Sequence, residues 1–314
     1  MDQRQLTIRL LQVFLEVIRL GNISAAARAL HLTQPTVSLQ LKKLAEIVGA
    51  PLLEFRQGQL LLTDAGEELR RTSQDVLSRL DDFALFLSDN RLGQNGTISI
   101  GIVTTAKYIL PKVLGAFYKR YPGVNITLNI GNRAQILSRF THQLDDLYLF
   151  SHPPTGDHVS AMRILKNPLQ LIAPADHWAK DINSLNFSDV AQERFLLREP
   201  GSATRSVFEN FLSRQGLQLS HSMQIESNEA IRLSVASGLG IAVLSAHSLS
   251  QSNDPLTILN INDFPLQSHW YLVMHKTKRL PYAAGQLVRF IGEQLPNFVE
   301  QRFLVDDLQQ LRQF

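Results

Sequence analysis

The stretch Asn22-Ile23-Ser24-Ala25-Ala26-Ala27-Arg28-Ala29-Leu30-His31-Leu32-Thr33-Gln34-Pro35-Thr36-Val37-Ser38-Leu39-Gln40-Leu41-Lys42-Lys43-Leu44, followed by Gly49-Ala50-Pro51-Leu52-Leu53-Glu54-Phe55 and Leu62-Thr63-Asp64-Ala65-Gly66, decides the reading of this chain. It reads as two short helices on a tight turn. Ser24 is a good N-cap, Ala25 to Ala27 let a second helix approach closely, and Ala26, Leu30 and Leu32 suit a small core. A helix is therefore expected from about Ser24 to Leu30. Thr33 caps the next helix, Pro35 occupies its first turn where a missing N–H costs nothing, and Val37, Leu41 and Leu44 form an apolar stripe at i, i+4 and i+7. The opposite face is assigned Gln34, Thr36, Ser38, Gln40, Lys42 and Lys43. Those groups suit a DNA groove: Gln pairs bidentately with adenine, short hydroxyls reach bases or phosphates, and Lys supplies charge. With Ser24, Thr33, Pro35 and, in the hairpin beyond, Arg56, they make up the expected DNA-binding set. A plain solvated face competes with that reading, but a second helix of a helix-turn-helix normally reads DNA.

Local charge supports a modest binder. Residues 1–63 carry seven cations (Arg4, Arg9, Arg19, Arg28, Lys42, Lys43, Arg56) against Asp2, Glu16, Glu46 and Glu54, and the whole chain of 314 residues has a net charge of +3. Arg56 is the only cation of the hairpin. Since even competent single modules bind random DNA at about 10⁻⁴ to 10⁻⁶ M, two or more modules are expected to act together.

The next segment supplies the pairing. Thr63 caps a helix expected from Asp64 to Arg91, with Asp64, Glu67 and Glu68 at the positive end of its dipole. Leu69, Val76, Leu80, Phe83 and Leu87 recur near the 3.5-residue period of a two-helix seam, so they are the expected dimerisation residues. Residues 92–96 (Leu-Gly-Gln-Asn-Gly) read as a hinge.

Beyond it, strands expected at 97–103, 124–130, 146–150, 169–173, 195–198, 223–225 and 241–244 alternate with helices at 106–120, 132–143, 204–215 and 228–237. A strand at 270–275 and a helix at 282–294 close the chain. That alternation points to parallel sheets in an α/β domain. Two α/β lobes joined by a returning strand resemble the periplasmic-binding-protein fold, with lobe I at about 97–163 and 270–314 and lobe II at about 164–269. Ligands in such sheets gather beyond the carboxyl ends of strands. The expected effector-binding residues there are Thr104, Thr105, Asn132, Arg133, Ser151, Ser202, Thr204, Arg205 and Asn228. Hydroxyls, free N–H groups and helix N-termini make an anion site; each of these hydroxyls and amides taken alone is also an ordinary helix cap.

The motif Ala26-Ala27-x-x-Leu30-x-Leu32-Thr33-Gln34-Pro35-x-Val37-Ser38-x-Gln40-x-x-x-Leu44, then Gly49-x-Pro51-Leu52 and Leu62-Thr63-x-Ala65-Gly66, resembles the DNA-binding domain of LysR-type transcriptional regulators. The resemblance implies residues 1–63 as a winged helix-turn-helix, 64–91 as a linker and dimerisation helix, and 97–314 as the effector-binding domain. Gly131-Asn132-Arg133, the run Arg198 to Arg205, Ser227 to Ile231, and Phe264-Pro265-Leu266 before His269-Trp270-Tyr271 are similar to the branch that regulates carbon-fixation operons. It implies a sugar phosphate, a phosphorylated acid or a reduced nicotinamide nucleotide as signal, double-stranded promoter DNA as partner, RNA polymerase as a further candidate partner, and self-association as dimers or as tetramers built from them. Only Lys107, Arg133 and Arg205 lie near the expected pocket mouth, which argues against a ligand with two phosphates; a monoanion or dicarboxylate suits equally.

Other classes fit poorly. Phosphate-loop, dinucleotide, zinc-protease and nucleophile-elbow motifs are absent, Gly238-Leu239-Gly240 reads as a helix-to-strand turn, and His152, His158, His177 and His269 lack metal-ligand spacing. No catalytic residue, metal or cofactor is expected. The chain has no cysteine, no secretion signal and no apolar run of membrane length, so a cytoplasmic protein is expected. The alternative is a solute-binding or carrier protein of the same two-lobed fold, which would leave residues 1–91 without a use.

Overall fold

The computed structural model describes residues 3–56, 59–88, 95–250 and 253–313. Two compact units emerge, Met1–Arg91 and Leu92–Phe314.

In the first unit α1 (Ile8–Leu20), α2 (Ile23–Ala29) and α3 (Gln34–Val48) precede an antiparallel hairpin of β1 (Leu53–Arg56) and β2 (Gln59–Leu62), and α4 (Asp64–Ser88) follows. The small side chains Ala26 and Ala27 disappear against Val13, Val17 and Val37, while Phe14, Leu44, Ile47 and Leu52 fill a second cluster. Two expectations need correction. Asn22, not Ser24, caps α2: its Oδ1 accepts the Ala25 N–H at 2.9 Å from an extended backbone, and Ser24 lies exposed inside the first turn. Leu69 is only 8% exposed and packs with Leu10, Leu11 and Phe14 in its own domain, so it is not available to a partner. The cause is the close seat of α4: Thr63 Oγ1 accepts the Gly66 N–H, and a Cβ on Gly66 would fall 2.0 Å from the Leu52 carbonyl oxygen. Farther along, Leu80 and Phe83 are 45% and 58% exposed, and Val76 is half-buried. The side chain of Leu87, residues 89–91 and hinge residues 92–94 fall outside the described residues, while residues 95 and 96 already belong to a strand.

The second unit begins with β3 (Asn95–Val103), a 3-10 turn (Thr104–Tyr108), α5 (Leu110–Arg120), β4 (Gly123–Gly131), α6 (Arg133–Thr141), β5 (Leu147–Phe150) and β6 (Val159–Lys166). It continues with β7 (Leu169–Pro174), β8 (Arg194–Leu197), α7 (Ala203–Gln215), β9 (His221–Gln224), α8 (Asn228–Ala236), β10 (Ala242–Ser245), α9 (Ala246–Leu249), β11 (Leu256–Ile258), β12 (His269–His275) and α10 (Tyr282–Gln294). The helix expected from Ala106 is broken at Ile109 because Pro111 has no N–H to bond back to residue 107.

The sheets are mixed rather than parallel. In lobe I the order is β4-β3-β5-β12-β6, with β3, β4 and β5 parallel and β12 antiparallel to both neighbours. In lobe II β7 pairs antiparallel with β10 and β11, β8 and β9 are parallel, and a parallel bridge from Phe195 to Ile241 joins the two sets. The mixture follows from the crossing: the chain leaves lobe I along β6, which sequence reading overlooked, and returns along β12, so these strands run opposite ways. His269 pairs with Lys166, which puts residues 164–166 and 269 in the first sheet. Trp270 is fully buried at this crossing and stacks on His247, whose ring nitrogen bonds the Lys166 carbonyl.

Candidate functional site

Two sites emerge, one in each unit. The first is the outer face of α3. Thr33 Oγ1 accepts the Thr36 N–H, Gln34 Nε2 donates to Ser38 Oγ at 2.9 Å, and Gln34 and Pro35 are exposed. Lys42 and Lys43 are exposed and have no partner among the described residues. Gln40 departs from expectation: it sits on the flank of the helix towards the core, with Oε1 buried and unbonded. In its stead Leu39, 67% exposed, stands at the middle of the outward face. Residue 39 lies about 160° around the helix from the Leu41 position at 100° per residue, so the phase was readable from sequence. Arg56 closes β1, and its side chain lies outside the described ones. His31 takes a left-handed φ of 55°, and the Leu32 N–H bonds the Ala27 carbonyl across it, which fixes the turn between α2 and α3.

The second site is the cleft between the two lobes of the second unit. A cavity of about 10 Å³ is lined by Val103, Thr104, Thr105, Asn132, Arg133, Ser151, Arg198, Ser202, Ala203 and Thr204. These come from the carboxyl ends of β3, β4, β5 and β8 and from the starts of α6 and α7, as strand-to-helix chemistry dictates. Seven of the nine expected effector residues meet there. Asn132 also caps α6, reciprocally with Gln135. The Ser202 side chain makes no capping bond at α7, so it does not use the N–H groups of that helix start beside Thr204. Gly201 precedes it at φ +88°, where a side chain would be strained and would press on Ala134 of the other lobe at 3.0 Å.

Arg205 and Asn228 do not line the cavity. Arg205 turns along α7 to Glu209 and to the Arg198 carbonyl, since an i, i+4 carboxylate lies within reach. Asn228 is buried behind Arg198, accepting its Nη1–H through Oδ1, while its Nδ2 has no bonding partner among the described residues. Arg198 is the residue that sequence reading missed. It is 4% exposed, bonded in two places to Glu199 at 2.8 and 3.0 Å, and placed one residue past the end of β8.

A clasp joins the two lobes. Glu229, in the first turn of α8 on lobe II, accepts from Lys107 Nζ at 2.8 Å and from Tyr108 Oη at 2.7 Å, both on the 3-10 turn of lobe I. Burial works against its ionisation, but Lys107, Tyr108 and Ser227 outweigh that and hold the Glu229 carboxyl down at about 2. Burial, then the neighbouring Glu229, push the Tyr108 phenol up, so it stays a donor. Desolvation and the Arg133 cation keep His152 below the usual histidine range, and its carbonyl accepts from Arg133 Nε.

A helix-turn-helix with an exposed polar second helix, joined to a two-lobed domain with a donor-lined cleft, defines a ligand-responsive DNA-binding protein. The chain belongs to the LysR family of transcriptional regulators: residues 8–67 match the bacterial regulatory helix-turn-helix protein of the lysR family, and residues 91–296 match the LysR substrate binding domain. It is 38% identical to the HTH-type transcriptional activator CmpR of Synechocystis sp. over 287 residues, 91% of this chain and 94% of that one. It is 39% identical to the RuBisCO operon transcriptional regulator of Acidithiobacillus ferrooxidans over 89% of this chain and 91% of the relative. Among solved structures, the regulatory domain of Synechocystis CcmR in complex with 2-PG aligns with a TM-score of 0.62 at 33% identity, over 65% of this chain and 99% of that one. Nothing in these comparisons supports a solute carrier. Among the described residues no helix is long and apolar enough to cross a membrane.

Proposed function

We propose that this chain controls a carbon-assimilation promoter in response to a small phosphorylated acid bound between its lobes. The observation that carries the reading is the cleft lining: donors from both lobes, Arg133 and Arg198, the hydroxyls of Thr104, Thr105, Ser151, Ser202 and Thr204, and the uncapped start of α7 converge on one point. Carboxylate acceptors are absent from the lining, which suits an anion. The CcmR relative holding 2-PG, read as 2-phosphoglycolate, supports a ligand with one phosphate and one carboxylate. The cavity as it stands has room for about one water molecule. Entry of such an anion therefore requires the lobes to part and the Lys107–Glu229–Tyr108 clasp to open.

In this proposal residues 1–63 read DNA through Ser24, Thr33, Gln34, Pro35, Thr36, Ser38, Lys42 and Arg56. Residues 64–91 pair two chains through Val76, Leu80, Phe83 and Leu87, residues 92–96 are the hinge, and 97–314 sense the metabolite. Two chains or four share one operator in the cytoplasm, without catalysis, and present the DNA to RNA polymerase. The test is calorimetric titration of the full-length protein with 2-phosphoglycolate, glycolate and inorganic phosphate, beside operator footprinting. Micromolar binding of the phosphorylated acid alone, with an altered footprint, is the expected result; equal and weak binding of all three overturns the ligand assignment.

A further inference from the structure

Leu39 is the most exposed of the large apolar side chains among the described residues, and it stands where polar groups are the rule. A single exposed leucine ordinarily means nothing. Its place on α3 is what gives it meaning. At 100° per residue, Pro35, Leu39, Lys42 and Glu46 fall on one stripe directly opposite the buried Val37, Leu44 and Ile47. Lys42 supplies a phosphate-directed charge from this stripe, and Glu46 at its far end repels the backbone, so approach is confined to the amino-terminal half of the helix. There the polar side chains are tied to one another, Gln34 to Ser38 and Thr33 to Thr36, which leaves Leu39 and Pro35 as the apolar part of the face.

The edges of base pairs in the major groove carry one apolar group, the C5-methyl of thymine. We infer that Leu39 reads the methyl group of a thymine at a fixed position in each half-site, with Pro35 forming the other wall of the contact. The inference rests on α3 being the DNA-reading helix. It adds a specificity element that needs no hydrogen bond: cytosine lacks the methyl group, and a purine there presents polar atoms to the leucine. The flanking lysines set affinity alike for every sequence, so discrimination at this position falls to the leucine.

The test uses the full-length protein on duplexes it selects from a random pool, with each thymine in turn replaced by deoxyuridine, which removes the methyl group alone. Loss of one methyl contact with an apolar surface is worth about fourfold in affinity. Wild type should lose about that much at one position in each half-site. Leu39→Ala should bind the unmodified site more weakly and be indifferent to deoxyuridine there, while keeping its sensitivity elsewhere and its salt dependence. Leu39→Met, which keeps an apolar reach, should restore the effect. Because Leu39 lies outside the core, the melting temperatures of both variants should match wild type. An unchanged deoxyuridine profile in Leu39→Ala, or binding with no methyl-sensitive position at all, overturns the inference while leaving the regulator reading intact. Failure to select any sequence overturns the DNA-reading assignment itself.

Discussion

The starts of α3 and α7 are the two helix N-termini at the proposed DNA and metabolite sites, and they are built in opposite ways. At α3 the cap is made, with Thr33 accepting the Thr36 N–H, and the surrounding polar side chains bond each other in open solvent. At α7 the cap residue Ser202 is 4% exposed and makes no capping bond, and Thr204 and Arg198 are buried beside it. A polyanion is long, and a face that meets it in several places needs no strong single contact. A small metabolite touches one point, so its donors have to be concentrated, desolvated and left open. In the proposed reading the same local element is fitted to two kinds of ligand by its burial and its cap.

The sharpest way to break this contrast is Arg198→Ala. It strips a buried carboxylate, Glu199, and the Asn228 carbonyl of their cation, and breaking such a pair costs about 3–5 kcal/mol. Urea unfolding of the full chain should show that loss together with loss of anion binding; a change under 1 kcal/mol would mean the cleft is not pre-organised around this side chain. At the other helix, Gln34→Ala should remove about 1–3 kcal/mol of discrimination between operator and random DNA if Gln34 reads a base edge. Equal weakening on both, in competition binding, would assign Gln34 to the backbone.

Smaller effects test the closures around each site. Glu229→Gln should tighten binding of a phosphorylated acid by about 1.4- to fivefold, since a half-exposed ion pair is worth about 0.2–1 kcal/mol. The Glu229 carboxyl is held well below its ordinary 4.5, so the clasp is at full strength above that pH and fades only as pH falls towards 2. Wild type and variant should accordingly differ by the same factor at pH 6, 7 and 8. A difference that changes across that range would show another group closing the mouth. Least visible is Lys42→Ala, which should weaken all sequences alike and lower the salt slope by about one.

Much of the reader was legible because its determinants are local. Thr33, Pro35 and the Val37 and Leu44 stripe act within a few residues of themselves, and the helix starts at Asn132 and Ser202 follow from strand-to-helix order. The Asn22 cap was missed because Ser24 is an equally good cap in isolation and only the backbone at residue 22 decides between them. Leu39 was within reach of a stricter helical count. Glu229 was not, since its partners Lys107 and Tyr108 are over a hundred residues away and belong to the other lobe. Arg198 gave one weak sign, a cation just past a strand end before a glycine and a helix start. Its burial depends on Glu199 and Asn228, which no spacing announces. The strand at Val159–Lys166 was overlooked because its partner, β12, lies a hundred residues downstream.

The closed cleft has a consequence in time. With room for about one water molecule and a clasp joining the lobes, the proposed site would admit its metabolite only when the lobes part. The observed association rate must then level off at the opening rate as metabolite concentration rises, and bound metabolite leaves no faster than the lobes reopen. Such a switch disregards fluctuations briefer than its own opening interval and answers the sustained level of the metabolite.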